Sequence, residues 1–220
     1  MPTSTVEDYL KCLLLEEEAR GDERVPTGRL AQSLAVTPGT VTAMLKTLAD
    51  SGLVDYEAYG GARLTPAGRQ LALPVVRRHR LIELFLVRTM GMDWSEVHPE
   101  AELLEHAVSD RLIERMDEML GRPAVDPHGD PIPSAAGRIE TADHASLAAG
   151  EIGGRYRVGR IADQSSAFLR LVERLGLRPG KRLRLVALDA AADTLEVELE
   201  RGRRASLGLR AASKILVERV

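Results

Sequence analysis

Residues 97–110, VHPEAELLEHAVSD, place two histidines and three glutamates among leucine and alanine. On an α-helix each residue advances about 100°, which brings His98, Glu102, Glu105 and His106 within about 100° of one another. Imidazole nitrogens and carboxylate oxygens on one helix face can hold a divalent cation such as Mn²⁺, Fe²⁺, Co²⁺ or Zn²⁺. The pattern therefore indicates a metal site.

A second pair of the same kind lies upstream. His79 and Glu83 are four residues apart in RRHRLIELF, so they share one helix face. A single His-x3-Glu pair is usually a solvated surface pair, and the proline after His98 is also typical of an ordinary helix start. Six candidate donors on two helices nevertheless favour metal binding.

The elements that must hold these residues begin with three short helices. Residues 4–7 have the S-x-x-E form of a capping box, which predicts a first helix over about 6–19. Thr27 can cap a second helix, and residues 37–38, Thr-Pro, can cap a third that ends at Gly52. This order is helix-turn-helix.

Two short strands about a glycine turn follow Gly52 and predict a wing. Residues 1–73 are thus expected to form a winged helix-turn-helix DNA-binding domain, whereas a plain three-helix packing unit would not need the wing. A recognition helix buries its apolar face and exposes small or polar residues, and Lys46 and Arg63 are placed to neutralise phosphates. The predicted DNA-binding residues are Thr27, Thr37, Pro38, Gly39, Thr40, Thr42, Ala43, Lys46 and Arg63.

Further along, Thr65-Pro66 predicts a long helix that is kinked or restarted at Pro74, with more helices near 99–108 and 110–120. These elements form a helical domain, residues 74–140. The proline-rich stretch PHGDPIP is interpreted as an extended connector, with His128 as a possible surface ligand. A linker, residues 141–149, precedes a small five-stranded barrel over 150–220, so the predicted fold class is α+β.

The charge of the 220-residue chain is unevenly distributed, although its net charge is only −3. Residues 24–80 have eight basic and three acidic residues, residues 81–140 five and thirteen, and residues 141–220 fifteen and ten. A basic block beside an acidic one suggests a part that binds a polyanion joined to a part that binds cations. The single cysteine, Cys12, together with the lack of a recognisable signal or membrane span, predicts a cytoplasmic protein with no membrane partner.

Taken together, these motifs resemble the diphtheria toxin repressor family of metal-dependent regulators, and in particular its manganese-responsive members. The similarity rests on VEDYL, the helix-turn-helix LAQSLAVTPGTVTAMLKTLADSGLV, LTPAGRQLA, RRHRLIELFL, VHPEAELLEHAVSD and PHGDPIP, all in the family's order. RVGRIADQSSAFLRLVERLGLRPG is similar to the SH3-like (FeoA-type) barrel of the longer members.

The resemblance implies two metal sites and a dimerisation role for the helical domain. The implied ligands are Asp8, Glu102, Glu105 and His106 at a primary site, and His79, Glu83 and His98 at an ancillary site. Iron-responsive relatives have methionine and cysteine where this chain has Asp8 and Glu102, so hard oxygen donors replace sulfur and favour Mn²⁺. Fe²⁺ is the alternative, and Zn²⁺, Co²⁺ or Cd²⁺ are expected to bind in vitro.

Two positions depart from the family pattern. Lys11 stands where short manganese-responsive members have a glutamate ligand, which argues against their paired-ion site. Ala167 aligns with a ligand position of the barrel and cannot coordinate a metal, so Asp163 or Gln164 is the candidate barrel ligand.

These features predict a manganese-dependent, homodimeric transcriptional repressor that binds palindromic operator DNA and controls metal homeostasis, with manganese uptake genes as targets. The first alternative is an iron-dependent repressor of the same family. A di-metal carboxylate enzyme is a weaker alternative, because no catalytic nucleophile or substrate pocket is evident. In a metal-independent regulator, by contrast, the acidic residues would form only a solvated face.

Overall fold

The computed structural model describes residues 3–21, 23–140 and 142–220. The chain divides into two compact units. Unit 1 comprises Met1–His79 and Pro133–Arg138, and unit 2 comprises Arg80–Ile132 and Ile139–Val220. No helix in these described stretches is long and apolar enough to cross a membrane.

Unit 1 has the predicted order of three helices followed by a hairpin. Its elements are α1 (Ser4–Arg20), α2 (Thr27–Ser33), α3 (Pro38–Asp50), β1 (Val54–Glu57), β2 (Gly61–Leu64) and the first part of α4 (Pro66–Arg88). The two strands pair antiparallel, from Val54 opposite Leu64 to Glu57 opposite Gly61. Winged helix-turn-helix geometry is thereby confirmed for this part of the chain.

The first two helices begin differently from the prediction. Thr3, rather than Ser4, is the N-cap of α1, because its hydroxyl oxygen accepts a hydrogen bond from the amide of Val6. Thr27 is the first residue of α2 and not its cap, which is Pro26 and offers no side-chain acceptor. Both helices nevertheless lie where the sequence pattern placed them.

Helix α4 runs from Pro66 to Arg88 through Pro74, so the predicted restart at that proline does not occur. A proline removes one backbone hydrogen bond from a helix, and tertiary packing can offset that loss. The residues that follow it, Val75 and Val76, are buried and hold the helix in place.

The wing is tied to α1 by a buried carboxylate. Glu17 of α1 accepts a hydrogen bond from the backbone amide of Leu64 at 2.5 Å and an ion-paired hydrogen bond from Arg69 at 3.3 Å. Because a buried charge needs such partners, these contacts fix strand β2 against the first helix.

In unit 2, helix α5 (Val97–Leu104) is shorter than predicted and α6 (Asp110–Met119) follows it closely. The expected helix through residue 108 is interrupted because Ser109 takes an extended conformation and caps α6, accepting a hydrogen bond from the amide of Leu112. Glu105 keeps right-handed helical angles as the C-cap of α5, and His106 lies in the turn beyond it.

The rest of unit 2 is an antiparallel sheet with strand order β3-β8-β4-β5-β6-β7. Its elements are β3 (Ala145–Ser146), β4 (Arg155–Ile161), α7 (Ser166–Leu175), β5 (Arg182–Asp189), β6 (Thr194–Leu199), β7 (Arg204–Gly208), α8 (Leu209–Ala212) and β8 (Ile215–Arg219). The prediction of a five-stranded barrel needs correction: there are six strands, and among the described residues the edge strands β3 and β7 do not pair to close it. Strand β3 also begins inside the predicted linker, residues 141–149, because it pairs with β8.

The connector PHGDPIP packs against this sheet. The amide of Ile161 donates to the carbonyl oxygen of His128 at 2.8 Å, and Arg160 and Gln164 contact the carboxylate of Asp130. Gly129, with φ of 89°, lies so close to the backbone of β4 that a Cβ atom would collide with it. Residues 127–132 of the predicted connector are therefore packed against the sheet within unit 2.

Candidate metal centres and nucleic-acid interface

Three of the predicted ligands meet around the end of α5. Glu105 is fully buried, and its carboxylate lies 3.3 Å from His106 Nε2. Glu102 is half-exposed and lies 3.6 Å from His98 Nε2. The predicted single helix face is incorrect, because α5 ends at Leu104, but the right-handed conformation of Glu105 continues the helical path for one more residue.

Glu83 and His98, two of the ligands implied for the ancillary site, lie close together. Glu83 lies on α4 with no exposed surface, and its Oε1 is 3.2 Å from His98 Nδ1. His79 precedes Glu83 by four residues on the same helix and is also buried. Two imidazoles and a carboxylate thus belong to α4 and α5, as the spacing predicted.

The sequence analysis missed a third group, formed by Glu83, Asp126 and His128. All three are buried, and one potential ligand atom from each lies within 4.8 Å of the others. His128 Nδ1 is 3.6 Å from Glu83 Oε2 and 4.0 Å from Asp126 Oδ2. Glu83 therefore faces His98 with one oxygen and His128 with the other. The expected surface position of His128 is wrong, because the docked connector buries it completely.

Hydrogen bonds orient the donors of this third group. His128 Nε2 lies 2.9 Å from the carbonyl oxygen of Trp94, an acceptor to which the ring nitrogen must donate, so Nδ1 turns toward the carboxylates. Asp126 Oδ1 accepts from the amides of His128 and Asp130, while its buried Oδ2 has no hydrogen-bond partner among the described residues. A backbone acceptor on one ring nitrogen is typical of a metal-binding histidine, whose other nitrogen gives up its proton when it binds the ion.

The pKa values of Asp126 and His128 are both raised in this group. Burial raises the pKa of Asp126 to about 7, helped by the neighbouring carboxylates of Asp130 and Glu83. Burial alone would lower the pKa of His128, but Glu83 and Asp126 outweigh it and raise that pKa to about 9. Without a cation the site therefore holds protons, and a divalent ion can take their place.

The candidate barrel ligands are engaged by other groups. Asp163 accepts from Lys214 Nζ at 2.6 Å and from the amide of Ser165, and Gln164 donates to Asp130 at 2.5 Å. Burial would raise the pKa of Asp163, but the hydrogen bond from Lys214 outweighs it and lowers that pKa. Ala167 is exposed and has no donor atom.

The remaining predicted ligand, Asp8, lies half-buried on α1 in unit 1. Its place at the primary site is a prediction from the sequence. Lys11, one turn further along, is buried. Sulfur contributes to none of the clusters described here, and burial raises the pKa of the Cys12 thiol to about 12, which disfavours the metal-binding thiolate.

The predicted recognition helix α3 has the expected two faces. Val41, Leu45 and Leu48 are buried, whereas the side facing solvent is small and polar. The exposed residues among those predicted to bind DNA are Thr37, Pro38, Gly39, Thr40, Ala43 and Lys46, with Thr42 and Thr27 half-buried. Thr37 caps the helix by accepting from the amide of Thr40 at 3.2 Å.

Arg63 is predicted to contact a phosphate, but in the structure it is paired with an acidic residue of the wing. Its guanidinium lies 3.2 Å from Asp55 across the hairpin, and Arg24 also contacts Asp55, at 2.7 Å. The hydrogen bond from Arg24 lowers the pKa of Asp55, with Arg63 adding to the effect. Arg63 remains more than half exposed, but its charge is already balanced by this carboxylate.

Comparison with known domain families accounts for nearly the whole chain. Residues 1–62 match the iron dependent repressor N-terminal DNA binding domain, and residues 65–134 match the iron dependent repressor metal binding and dimerisation domain. Residues 145–219 match the FeoA domain.

Individual regulators are similar to this chain over more than half of its length. The HTH-type transcriptional regulator MntR of Lysinibacillus sphaericus (strain C3-41) is 36% identical over 120 residues, 54% of this chain and 84% of the relative. The iron-dependent repressor IdeR of Mycobacterium tuberculosis (strain ATCC 25618 / H37Rv) is 36% identical over 148 residues, 65% of this chain and 63% of the relative.

Among solved structures, a manganese-dependent transcriptional repressor in complex with manganese superposes with a TM-score of 0.89 at 41% identity, covering 98% of this chain and all of the other. ScaR with bound Zn²⁺ gives a TM-score of 0.79 at 35% identity over the full length of both chains. The winged helix-turn-helix, the carboxylate and imidazole clusters and these similarities lead to one conclusion: the chain belongs to the diphtheria toxin (iron-dependent) repressor family of metal-dependent transcriptional regulators.

Proposed function

We propose that this chain is a manganese-activated, homodimeric repressor that binds palindromic operator DNA and controls manganese uptake genes. The observation that carries the proposal is the chemistry of the buried clusters around Glu83 and Glu105, which offer oxygen and imidazole donors and no sulfur. Such a hard donor set suits Mn²⁺. The similarity to a repressor solved with manganese supports the same choice of metal.

The primary site is assigned to Glu102, Glu105 and His106 together with Asp8. The first three flank the end of α5, and Asp8 is added from the family resemblance. In this assignment the ion joins the first helix of the DNA-binding domain to the helical domain. Ion binding then favours one arrangement of the recognition helices, and DNA in turn tightens ion binding.

The ancillary site is assigned to Glu83 and His98 with His79, as the resemblance implies. Glu83 also lies beside Asp126 and His128. Its carboxylate is therefore a candidate ligand both with His79 and His98 and with Asp126 and His128. Asp163 and Gln164 are secondary candidates, because Lys214 and Asp130 hold them in the absence of an ion.

The homodimer is supported by apolar side chains left exposed on the helices of unit 2 and in the turn after α4. They are Met90, Leu103, Leu112 and Met119, each at least 47% exposed. A surface of this kind is typical of an interface. Two copies related by a two-fold axis would present two recognition helices to a palindromic site.

An operator-binding titration tests the proposal. A duplex is first selected from a random library by the manganese-loaded chain, and its Kd is then measured by mobility shift with Mn²⁺, Fe²⁺ under anaerobic conditions, Zn²⁺ or chelator. Coupling of this type is typically worth about 5- to 150-fold in affinity, so Mn²⁺ should tighten binding by that order. Glu105→Gln should abolish most of the gain, and Glu100→Gln, an exposed acid on α5, should leave it intact.

Each alternative has its own outcome in this experiment. Activation by Fe²⁺ but not Mn²⁺ would identify the iron-dependent repressor that the similarity to IdeR also allows. Equal affinity with metal and with chelator would mean a metal-independent regulator and would refute the proposal. The di-metal enzyme is set aside because the family consists of transcriptional repressors.

A further inference from the structure

We propose that the outer face of the sheet in the FeoA domain binds the phosphodiester backbone of duplex DNA, as a second contact that does not depend on base sequence. This surface, called the arginine face below, consists of exposed arginines on three strands of unit 2: Arg155 and Arg157 of β4, Arg182 and Arg184 of β5, and Arg204 of β7. The inference goes beyond operator binding by the winged helix-turn-helix, and it requires no metal ion.

The alternation of the strands places these arginines on one side of the sheet. Tyr156 lies between the two arginines of β4, Leu183 lies between the two of β5, and Ala205 follows Arg204. All three of these residues belong to the hydrophobic core, into which α7 also packs. Successive side chains of a strand point to opposite faces, so the arginines lie on the face away from that core, in solvent.

The register of β4 and β5 sets arginines directly opposite one another. Arg155 pairs with Arg184, and Arg157 pairs with Arg182, so two like-charged cross-strand pairs lie side by side. Like charges that face each other in an antiparallel pair destabilise the sheet. The arrangement therefore weakens the domain on its own, whereas an anionic partner would relieve the repulsion.

Acidic neighbours balance only part of this charge. Glu218 lies 2.6 Å from the guanidinium of Arg157, and Glu198 lies 3.2 Å from that of Arg184. In the part of the chain that the structure describes, no ion pair engages the other members of the face, which are Arg155, Arg182 and Arg204. The face therefore has an excess of positive charge.

The density of this charge favours duplex DNA as the partner. Neighbouring strands of a sheet lie about 4.8 Å apart, so the opposed guanidiniums need closely spaced negative charges to neutralise them. Duplex DNA carries one negative charge per about 1.7 Å of helix axis. The planar fork of donors on arginine also matches the oxygens of a phosphate group.

A triple substitution at the arginines without an ion pair tests the inference in the 220-residue chain. The affinity for a random-sequence duplex is measured by fluorescence anisotropy, in chelator, at several salt concentrations. Each lost phosphate contact reduces the magnitude of the slope of log K against log salt by about 0.9. Arg155→Gln/Arg182→Gln/Arg204→Gln should therefore reduce it by about two to three and weaken binding roughly 10- to 100-fold at about 0.1 M salt.

The matched control removes the same charge from the helices of the same domain. Arg170, Arg174 and Arg210 are exposed on α7 and α8, and their joint replacement by glutamine should leave the slope unchanged. Replacement of the three face arginines by lysine should also keep the slope, because the charge is retained.

A single substitution guards against a folding defect in the triple variant. Arg182→Gln should reduce the slope by about one, and its Tm should be equal to or higher than that of the wild type, because one like-charged pair is removed.

Equal slopes for the wild type, the triple variant and the control would overturn the inference, and so would a failure of the wild type to bind the random duplex at low salt. Unchanged DNA binding with a loss of self-association in sedimentation velocity would also overturn it, and would assign the face to an acidic surface of a second copy. The random duplex contains no operator and the buffer no Mn²⁺, so this result is independent of the proposed metal-dependent function.

Discussion

At the scale of single residues, the most informative side chain is His128. Its Nε2–H donates a hydrogen bond to the carbonyl oxygen of Trp94, and its Nδ1 faces two buried carboxylates. Its pKa is raised to about 9 from the usual 6.5, so the folded state binds its proton more tightly than the unfolded chain does. The same proton must leave before a metal ion can bind there.

This raised pKa predicts a pH dependence of the metal-free protein. The stabilisation by protonated His128 is complete below about pH 6.5 and is lost as the pH rises through about 9. Protonated Asp126 also stabilises the fold, and because its pKa is raised from 3.8 to about 7, that stabilisation is lost as the pH rises through about 7. The Tm measured in chelator by circular dichroism should fall between pH 6.5 and 9. His128→Gln should flatten that decline, and His144→Gln, outside the cluster, should not.

Helical spacing directed attention to residues that lie near one another in the structure. It placed His98, Glu102, Glu105 and His106 on one helix face, and Glu105 and His106 do lie together, although His106 is beyond the end of α5. The grouping of Glu83 with His98, which also lie together, came from the family resemblance. Asp126 was missed because residues 126–133, DPHGDPIP, have no periodicity, and the segment is placed by contacts with distant residues, such as the backbone hydrogen bond from Ile161 to His128. The histidine and two acids in this short proline-rich stretch were the available signal.

At the scale of elements, the connector is fixed by backbone contact rather than by side-chain packing alone. Gly129 has positive φ, and its Cα faces the carbonyl of Gly159 on β4. Any side chain there would have to displace a strand of the sheet, because the neighbouring atoms belong to the backbone.

Gly129→Ala is therefore expected to be strongly destabilising. Gly153→Ala is the matched control, because Gly153 has a similar φ of 85° but open space around its Cα. The control should lose about 1 kcal/mol from backbone strain alone. Gly129→Ala should lose roughly 2–4 kcal/mol, since a steric clash is added. Urea denaturation of both variants measures the difference, and equal losses would mean that the connector is free to move away from β4.

Element boundaries were predictable to the extent that local signals determined them. The Thr-Pro cap of α3 and the glycine turn of the wing were identified correctly. The end of α5 was not, because Ser109 caps the next helix within a continuous apolar pattern. The closure of the barrel was also wrong, since alternation predicts strands but not which edges pair.

At the scale of the whole molecule, the order of domains followed from composition and motif order. The basic first block overlaps most of the winged helix-turn-helix, and the acidic block contains five of the predicted ligands: Glu83, His98, Glu102, Glu105 and His106. The three family matches follow one another along the chain, over residues 1–62, 65–134 and 145–219. The docking of PHGDPIP on the sheet was not predictable, because it depends on tertiary contacts between distant segments.

Trp94 is the only tryptophan in the chain, it is 3% exposed, and its ring stacks on that of His128 at a centroid distance of 5.5 Å. Glu173 accepts its indole N–H, and the guanidinium of Arg178 lies over its ring. The fluorescence of Trp94 therefore reports on the surroundings of His128. Intrinsic emission should be blue-shifted in the native state and quenched by paramagnetic Mn²⁺ at His128. Unchanged emission at saturating Mn²⁺ would place the ion away from that imidazole.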